Sequence, residues 1–242
     1  MILVIPDVHG RSFWREPCAD INSYSRVIFL GDYLDPYGFD DITLPEAFAN
    51  FCDIVAFAEA HRGKVTMLLG NHDLHYITTA AGRSTRHSPW MAERAAPIFD
   101  EQRQLFHLAC QVGDTLFTHA GCLQGWIDEA NLRYPDVKLS LDADSINALL
   151  ADEQHMRVLG MVGNRRGGSY NHGSCVWADV NEHLITPSPI PQVFGHTLQR
   201  LGPEIARPDM RILMLDCAHA FELDAQNPFS YTRINNPLID NI

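Results

Sequence analysis

A chain of 242 residues, 46% hydrophobic and 20% charged, has the composition of an ordinary soluble globular protein and the length to bury one sizeable core. Its formal net charge of -12 repels polyphosphate backbones, so a broad DNA or RNA surface is not expected, although divalent cations can reverse the potential at a local site. No low-complexity tract, repeat or Gly/Ser linker interrupts it, and residues 1–242 are expected to form a single domain. The six cysteines, at 18, 52, 110, 122, 175 and 217, include no CxxC pair and read as small buried hydrophobes in a reducing compartment. "ILVI" is too short for a secretory segment and stops at Pro6, and no run approaches the roughly 20 apolar residues of a membrane span. A cytoplasmic protein with no membrane partner is the expectation.

In chain order, "ILVI" runs into Pro6, Asp7 and His9, and "VIFL" into Gly31, Asp32 and Asp35. The tetrad Thr43–Glu46, "TLPE", is a capping box with proline in the first turn, and it opens a helical segment through "AFANFCDIVAFAEAH". "VTMLL" then runs into Gly70, Asn71, His72 and Asp73. Residues 90–108 read as a second helical region interrupted near Pro97. "TLFT" ends at His119, and residues 123–134 and 142–160 read as two further helices. "QVF" runs into Gly195 and His196. The late runs 174–180, 211–217 and 220–224 suggest a second sheet.

Each short aliphatic or β-branched run has the signature of a buried strand. The β-α-β-α-β order at the front predicts parallel strands with right-handed crossovers, and the whole predicts an α/β fold of two packed mixed sheets flanked by helices. In open α/β sheets functional loops gather at the carboxyl ends of strands, so residues far apart in sequence are expected to converge there.

Asp7, His9, Asp32, Asn71, His119 and His196 offer carboxylate, amide and imidazole donors and no sulfur. That set suits Mn²⁺, Fe, Zn²⁺, Mg²⁺ or Co²⁺, Mn²⁺ foremost. Six donors are too many for one catalytic ion with open positions and about right for two ions sharing a carboxylate, the arrangement that clamps in-line displacement at phosphorus. The glycines before Asp32, Asn71 and His196 fit crowded turns where backbone passes close to the site.

Taken together, "DVH", "GDYLD", "GNHD", "THAG" and "FGHT" follow one another in the order of the calcineurin-like metallophosphoesterase blocks, and the sequence resembles that superfamily over residues 7–197. "DVHG", "HAG" and "VWAD" make it most similar to the phosphoprotein phosphatase group and its bacterial diadenosine tetraphosphatase relatives; Leu198 stands where many superfamily members carry a further histidine. The resemblance implies a first ion held by Asp7, His9 and Asp32, and a second by Asp32, Asn71, His119 and His196. It implies attack by a hydroxide shared between the ions, with His72 as general acid held by Asp35. The implied reaction is hydrolysis of a phosphomonoester, either a phosphoprotein or a small molecule; a dinucleoside polyphosphate is the alternative substrate. A phosphodiesterase or nuclease fits the acidic balance less well, and a metal-less interaction module fits a complete ligand set less well still.

The family pattern usually continues with an arginine that grips phosphate, where this chain has Pro36. Arg11, Arg165 and Arg166 are the replacements considered, with Arg166 preferred because Gly167 and Gly168 follow it. Residues 80–90, "AAGRSTRHSPW", read as an ordinary polar loop in preference to a basic lid, and Asp216 and His219 of "LDCAH" as parts of a structural strand. His75 receives no metal role.

Overall fold

The computed structural model describes residues 1–82, 84–199 and 202–236. Its first sheet has the strand order β11-β10-β1-β2-β3-β4, formed by Tyr231–Arg233, Phe221–Leu223, Ile2–Ile5, Arg26–Phe29, Val65–Leu68 and Phe106–His107. The second has the order β5-β6-β7-β9-β8, formed by Ala109–Val112, Thr115–Thr118, Gln192–Phe194, Ile212–Met214 and Ile205–Arg207. Both sheets mix parallel and antiparallel pairs, as the α/β reading requires.

Alternation along the strands explains the layering. Ile2, Val4, Ile28, Leu30 and Leu68 pack with Phe117, Val193 and Leu213, which places them between the sheets. The intervening Leu3, Ile5, Val27, Phe29 and Met67 meet Ala47, Phe51, Ile54, Val55 and Ala58 of the helix Leu44–Ala60. Strands covered on both faces read as unbroken apolar runs, and β1 is one of them, with every residue buried. The helix starts where the capping box placed it: the Glu46 carboxylate accepts from the Thr43 N–H at 2.9 Å, and the Thr43 hydroxyl accepts from the Glu46 N–H at 3.4 Å.

Four local readings need correction. The helix Pro89–Glu101 runs through Pro97 without interruption, and residues 106–107 are strand. Met91, Ala95 and Phe99 form the buried stripe of that helix, while Pro97 and residue 93, whose carbonyl loses its partner, are exposed to water. Residues 142–160 are four short pieces, not one helix. Asp152 restarts the chain by accepting from the Gln154 N–H at 2.8 Å, as a capping residue does. The run 174–180 is a buried turn: the Cys175 carbonyl accepts from the Ala120 N–H, and Asp179 caps the helix Val180–His183. Residues 221–223 join the first sheet, antiparallel to β1, and of the three late runs only residues 212–214 lie in the second.

Within the first sheet β1, β2 and β3 are parallel, as are β6, β7 and β9 within the second, so the carboxyl ends of these two sets can face one cleft. No helix among the described residues is long and apolar enough to cross a membrane.

Candidate active site

Five strand ends deliver the candidate donors. Asp7 and His9 follow β1, Asp32 follows β2, Asn71 opens the helix Asn71–Ile77 after β3, His119 follows β6 and His196 follows β7. His9, Asp32 and His196 have positive φ, of 47°, 52° and 69°, and Asp35 has 58°. Such backbone costs about 1–3 kcal/mol per non-glycine residue and persists where its surroundings hold it. The surroundings here do. The Asp73 carboxylate accepts from the N–H groups of Asp32, Tyr33 and Gly70 at 2.7, 3.0 and 2.8 Å, fixing the turn that presents Asp32. Asp7 accepts from the His196 N–H at 3.1 and 3.0 Å through its two oxygens, tying the two sheets together at the site.

Two glycines make room for the acids. A Cβ at Gly70 would stand 2.1 Å from Asp32 Oδ1, and one at Gly195 would stand 2.0 Å from Asp7 Oδ1. Neither position admits a larger residue without moving a carboxylate, which is the crowding expected from the sequence.

The side chains meet. His119 Nε2 lies 3.1 Å from Asn71 Oδ1, 3.0 Å from His196 Nδ1, 3.6 Å from Asp32 Oδ2 and 4.0 Å from Asp7 Oδ2. His9 Nε2 lies 3.4 Å from the same Asp32 oxygen. All six residues are buried. Asp7, His9 and Asp32 form one group of donors, and Asp32, His119 and His196 another, sharing Asp32. His9 and His119 each point Nδ1 at a carbonyl, of Leu34 at 3.0 Å and Leu30 at 2.9 Å. A carbonyl only accepts, so Nδ1 carries the proton and Nε2 presents its lone pair to the centre.

The electrostatics suit cations. Burial pushes His9 down to about 3 and His196 well below its usual range, so both imidazoles are neutral. Burial raises Asp32 too, but the surrounding His119, His72, His9 and His196 outweigh it and hold the carboxyl below its usual range. Burial pushes Asp7 up to about 6, against the pull of His119. His196 Nε2 is buried with no hydrogen-bond partner among the described residues. Donors bound at about 2.0–2.2 Å to one ion sit roughly 3.0–3.4 Å apart, close to the spacings found here. The residues therefore fit divalent metal ions, and Asp32 belongs to both groups of donors.

His72 flanks this centre. Its N–H donates to Asp32 Oδ1 at 2.9 Å, and its Nδ1 lies 2.8 Å from Asp35 Oδ2. Asp35 also holds His75, whose Nε2 is 2.8 Å away, and accepts from the Tyr76 hydroxyl. Burial raises the Asp35 carboxyl, while the hydrogen bonds of His72 and Tyr76 and the close approach of His75 lower it and outweigh burial. His75, given no metal role from sequence, is thus a neighbour of Asp35. Its signal was its place three residues after His72, on the same face of a helix.

The arginines divide. Arg11 is spent on Asp40, through Nε at 3.0 Å and Nη2 at 2.9 Å. Arg165 is exposed. Arg166 reaches the edge of the centre, where Nη2 donates to the Thr197 hydroxyl at 2.7 Å and the His196 carbonyl at 3.4 Å, but its Nε pairs with Asp179 at 3.1 Å. Arg86, passed over in the sequence, places Nη2 3.1 Å from His72 Nε2. Residues 80–88 are loop, with Arg83 outside the described residues, and they touch the site: Ser84 accepts from the Asn71 side-chain amide at 2.9 Å and donates to the Asn71 carbonyl at 2.8 Å. Asp216 lies just past β9, fully buried, with neither carboxylate oxygen hydrogen-bonded among the described residues, and burial followed by the charge of Asp7 raises it well above its usual range. A cavity of about 770 Å³ borders the region through Gly10, Arg11, Phe39, Leu198 and Ala218.

Comparison with known proteins bears on the fold and the family. No curated protein matches the sequence. A cold-active protein tyrosine phosphatase of a psychrophilic Shewanella has a similar structure, with a TM-score of 0.52 and 16% identity over 97% of this chain and 80% of that one. A point mutant of a cold-active protein tyrosine phosphatase gives 0.54 and 14%, over 97% and 80%. Likeness at such identity is one of fold. The calcineurin-like phosphoesterase family, in contrast, matches in sequence over residues 1–200, a span that contains all five strand-end blocks. The chain belongs to the calcineurin-like phosphoesterase family.

Proposed function

We propose that this phosphoesterase works with two divalent ions, Mn²⁺ best suited, and hydrolyses phosphomonoesters. The observation that supports it most is the sharing of Asp32: one buried carboxylate stands between His9 on one side and His119 on the other, at 3.4 and 3.6 Å. Asp7 and His9 would complete one position, and Asn71, His119 and His196 the other. Bound there, paired ions would polarise the phosphoryl oxygens and lower the pKa of water so that it can attack phosphorus.

The chain's own groups handle the proton and the geometry. Asp35 takes the Nδ1–H of His72, so Nε2 faces the space beside the ions. With Nε2 protonated from solvent in place of the Arg86 N–H it accepts here, that proton passes to the leaving oxygen, which departs as a neutral alcohol or phenol. Asp35 is itself fixed by His75 and Tyr76, so the imidazole has one orientation. Asp73 holds the Asp32 turn without facing the substrate.

Metal dependence is the direct test. Protein stripped with chelator and desalted is expected to lose p-nitrophenyl phosphatase activity and to regain it on adding Mn²⁺, rising with metal until about two equivalents are bound. Full activity in metal-free protein would overturn the reading.

A further inference from the structure

We propose that Arg86 is the residue that grips the phosphoryl oxygens of the substrate, leaving its contact with His72 when substrate arrives. The inference rests on the phosphatase reading above and concerns a residue to which neither sequence motif nor family assigns a part.

Position is the first argument. Arg86 Nη2 is 3.1 Å from His72 Nε2, the ring nitrogen that does not face Asp35. Its guanidinium carbon lies 3.8 Å from the centre of the Tyr37 ring, and that ring packs edge-on against His9 at 4.6 Å. The His9 and His72 rings are themselves 5.3 Å apart. The guanidinium is therefore beside one candidate metal ligand and one candidate proton donor, where a phosphoryl group bound between them would lie.

Unspent bonding capacity is the second. A guanidinium has five N–H donors. Among the described residues no carboxylate lies within ion-pair distance of Arg86, its hydrogen bond is to an imidazole nitrogen, and its Nε is buried without a partner. Arg11 and Arg166 also leave one buried nitrogen each without a hydrogen bond, Nη1 and Nε, but both have an aspartate within ion-pair distance, which Arg86 lacks. An N–H bonded to a charged phosphoryl oxygen is roughly twice as strong as one bonded to a neutral acceptor, and guanidinium can offer two in parallel. The contact with His72 is therefore one that a phosphoryl group displaces, while the ion pairs of the other two arginines are not.

The third argument is how the loop is held. Ser84 is bonded to the side-chain amide and the carbonyl of Asn71, and its own N–H donates to His75 Nδ1 at 3.2 Å. Ser88 donates its N–H to the Tyr76 hydroxyl at 3.1 Å. Both flanks of Arg86 are thus anchored on the helix Asn71–Ile77 that carries His72. Arg86 itself sits at φ 64°, a conformation that an arginine adopts only where its surroundings require it.

The test uses Mn²⁺-loaded full-length protein and inorganic phosphate as the probe. Arg86→Ala and Arg86→Gln are expected to weaken phosphate binding, measured by titration calorimetry, about 10–100-fold, the range for a lost hydrogen bond to a charged group. The KM for p-nitrophenyl phosphate should rise in parallel, with bound metal unchanged, and Arg86→Lys should restore part of the loss. Arg86→Gln keeps most of the side-chain volume and serves where the alanine variant does not fold. Wild-type phosphate affinity in folded, metal-loaded Arg86→Gln would overturn the inference, as would finding that Arg166→Gln carries the loss instead. Failure of the phosphatase reading looks different, because the wild-type protein itself would then show no metal-dependent activity.

Discussion

Asp32→Asn is expected to lower kcat by about 10³-fold or more and to cut bound metal, with the fold retained. The loss matches or exceeds what removing one well-placed electrostatic group costs, because this carboxylate would serve both ions. Asparagine is the informative substitution. It keeps the size of the side chain, tolerates the positive φ of 52°, and can still accept the His72 N–H bond through its amide oxygen. What it removes is the charge between His9 and His119. In metal-free protein the same change removes both the repulsion Asp32 exerts on Asp7, Asp73 and Asp216 and the attraction that holds Asp32 below its usual range, so the stripped variant is expected to melt somewhat below wild type but still cooperatively. Metal analysis and a stripped-protein melting curve read the two effects separately.

His72→Ala is expected to lower kcat by about 10²–10⁴-fold while leaving bound metal unchanged, the range for general acid catalysis. The size should depend on the substrate. A p-nitrophenolate leaves readily without a proton, so the loss should be smaller for p-nitrophenyl phosphate than for an alkyl phosphate. The variant should fold, since Asp35 keeps its partners His75 and Tyr76. Equal losses on both substrates, or loss of metal, would assign His72 to binding and not to proton transfer.

What the sequence reveals is governed by what makes each element form. Strands such as Ile2–Ile5 are covered on both faces, so they appear as apolar runs, and the chemistry begins where the run stops. Spacing and glycines at 70 and 195 announce the crowding of the turns, which the contact distances to Asp32 and Asp7 show. The capping box at Thr43 is local, and locality makes it readable.

Pairing over long distances is not readable in the same way. A three-residue strand such as Phe221–Leu223 carries too little pattern to say which sheet it joins; its partner β1 lies some two hundred residues away. Residues 142–160 have helical apolar spacing, but Asp152 offers a cap that breaks the run. Pro97 points the other way, since a proline that frees only a solvated carbonyl does not end its helix. Arg86 was hidden for a related reason. Nothing in "STRHS" indicates that Ser84 and Ser88 tie the loop to the helix beneath it, and only that tie brings the guanidinium to His72.

The most direct measurement for the whole account is anomalous scattering from crystals grown with Mn²⁺. Two peaks about 3.5–4 Å apart are expected, one against Asp7, His9 and Asp32, the other against Asp32, Asn71, His119 and His196. A single peak, or a pair that leaves Asp32 between neither, would contradict it.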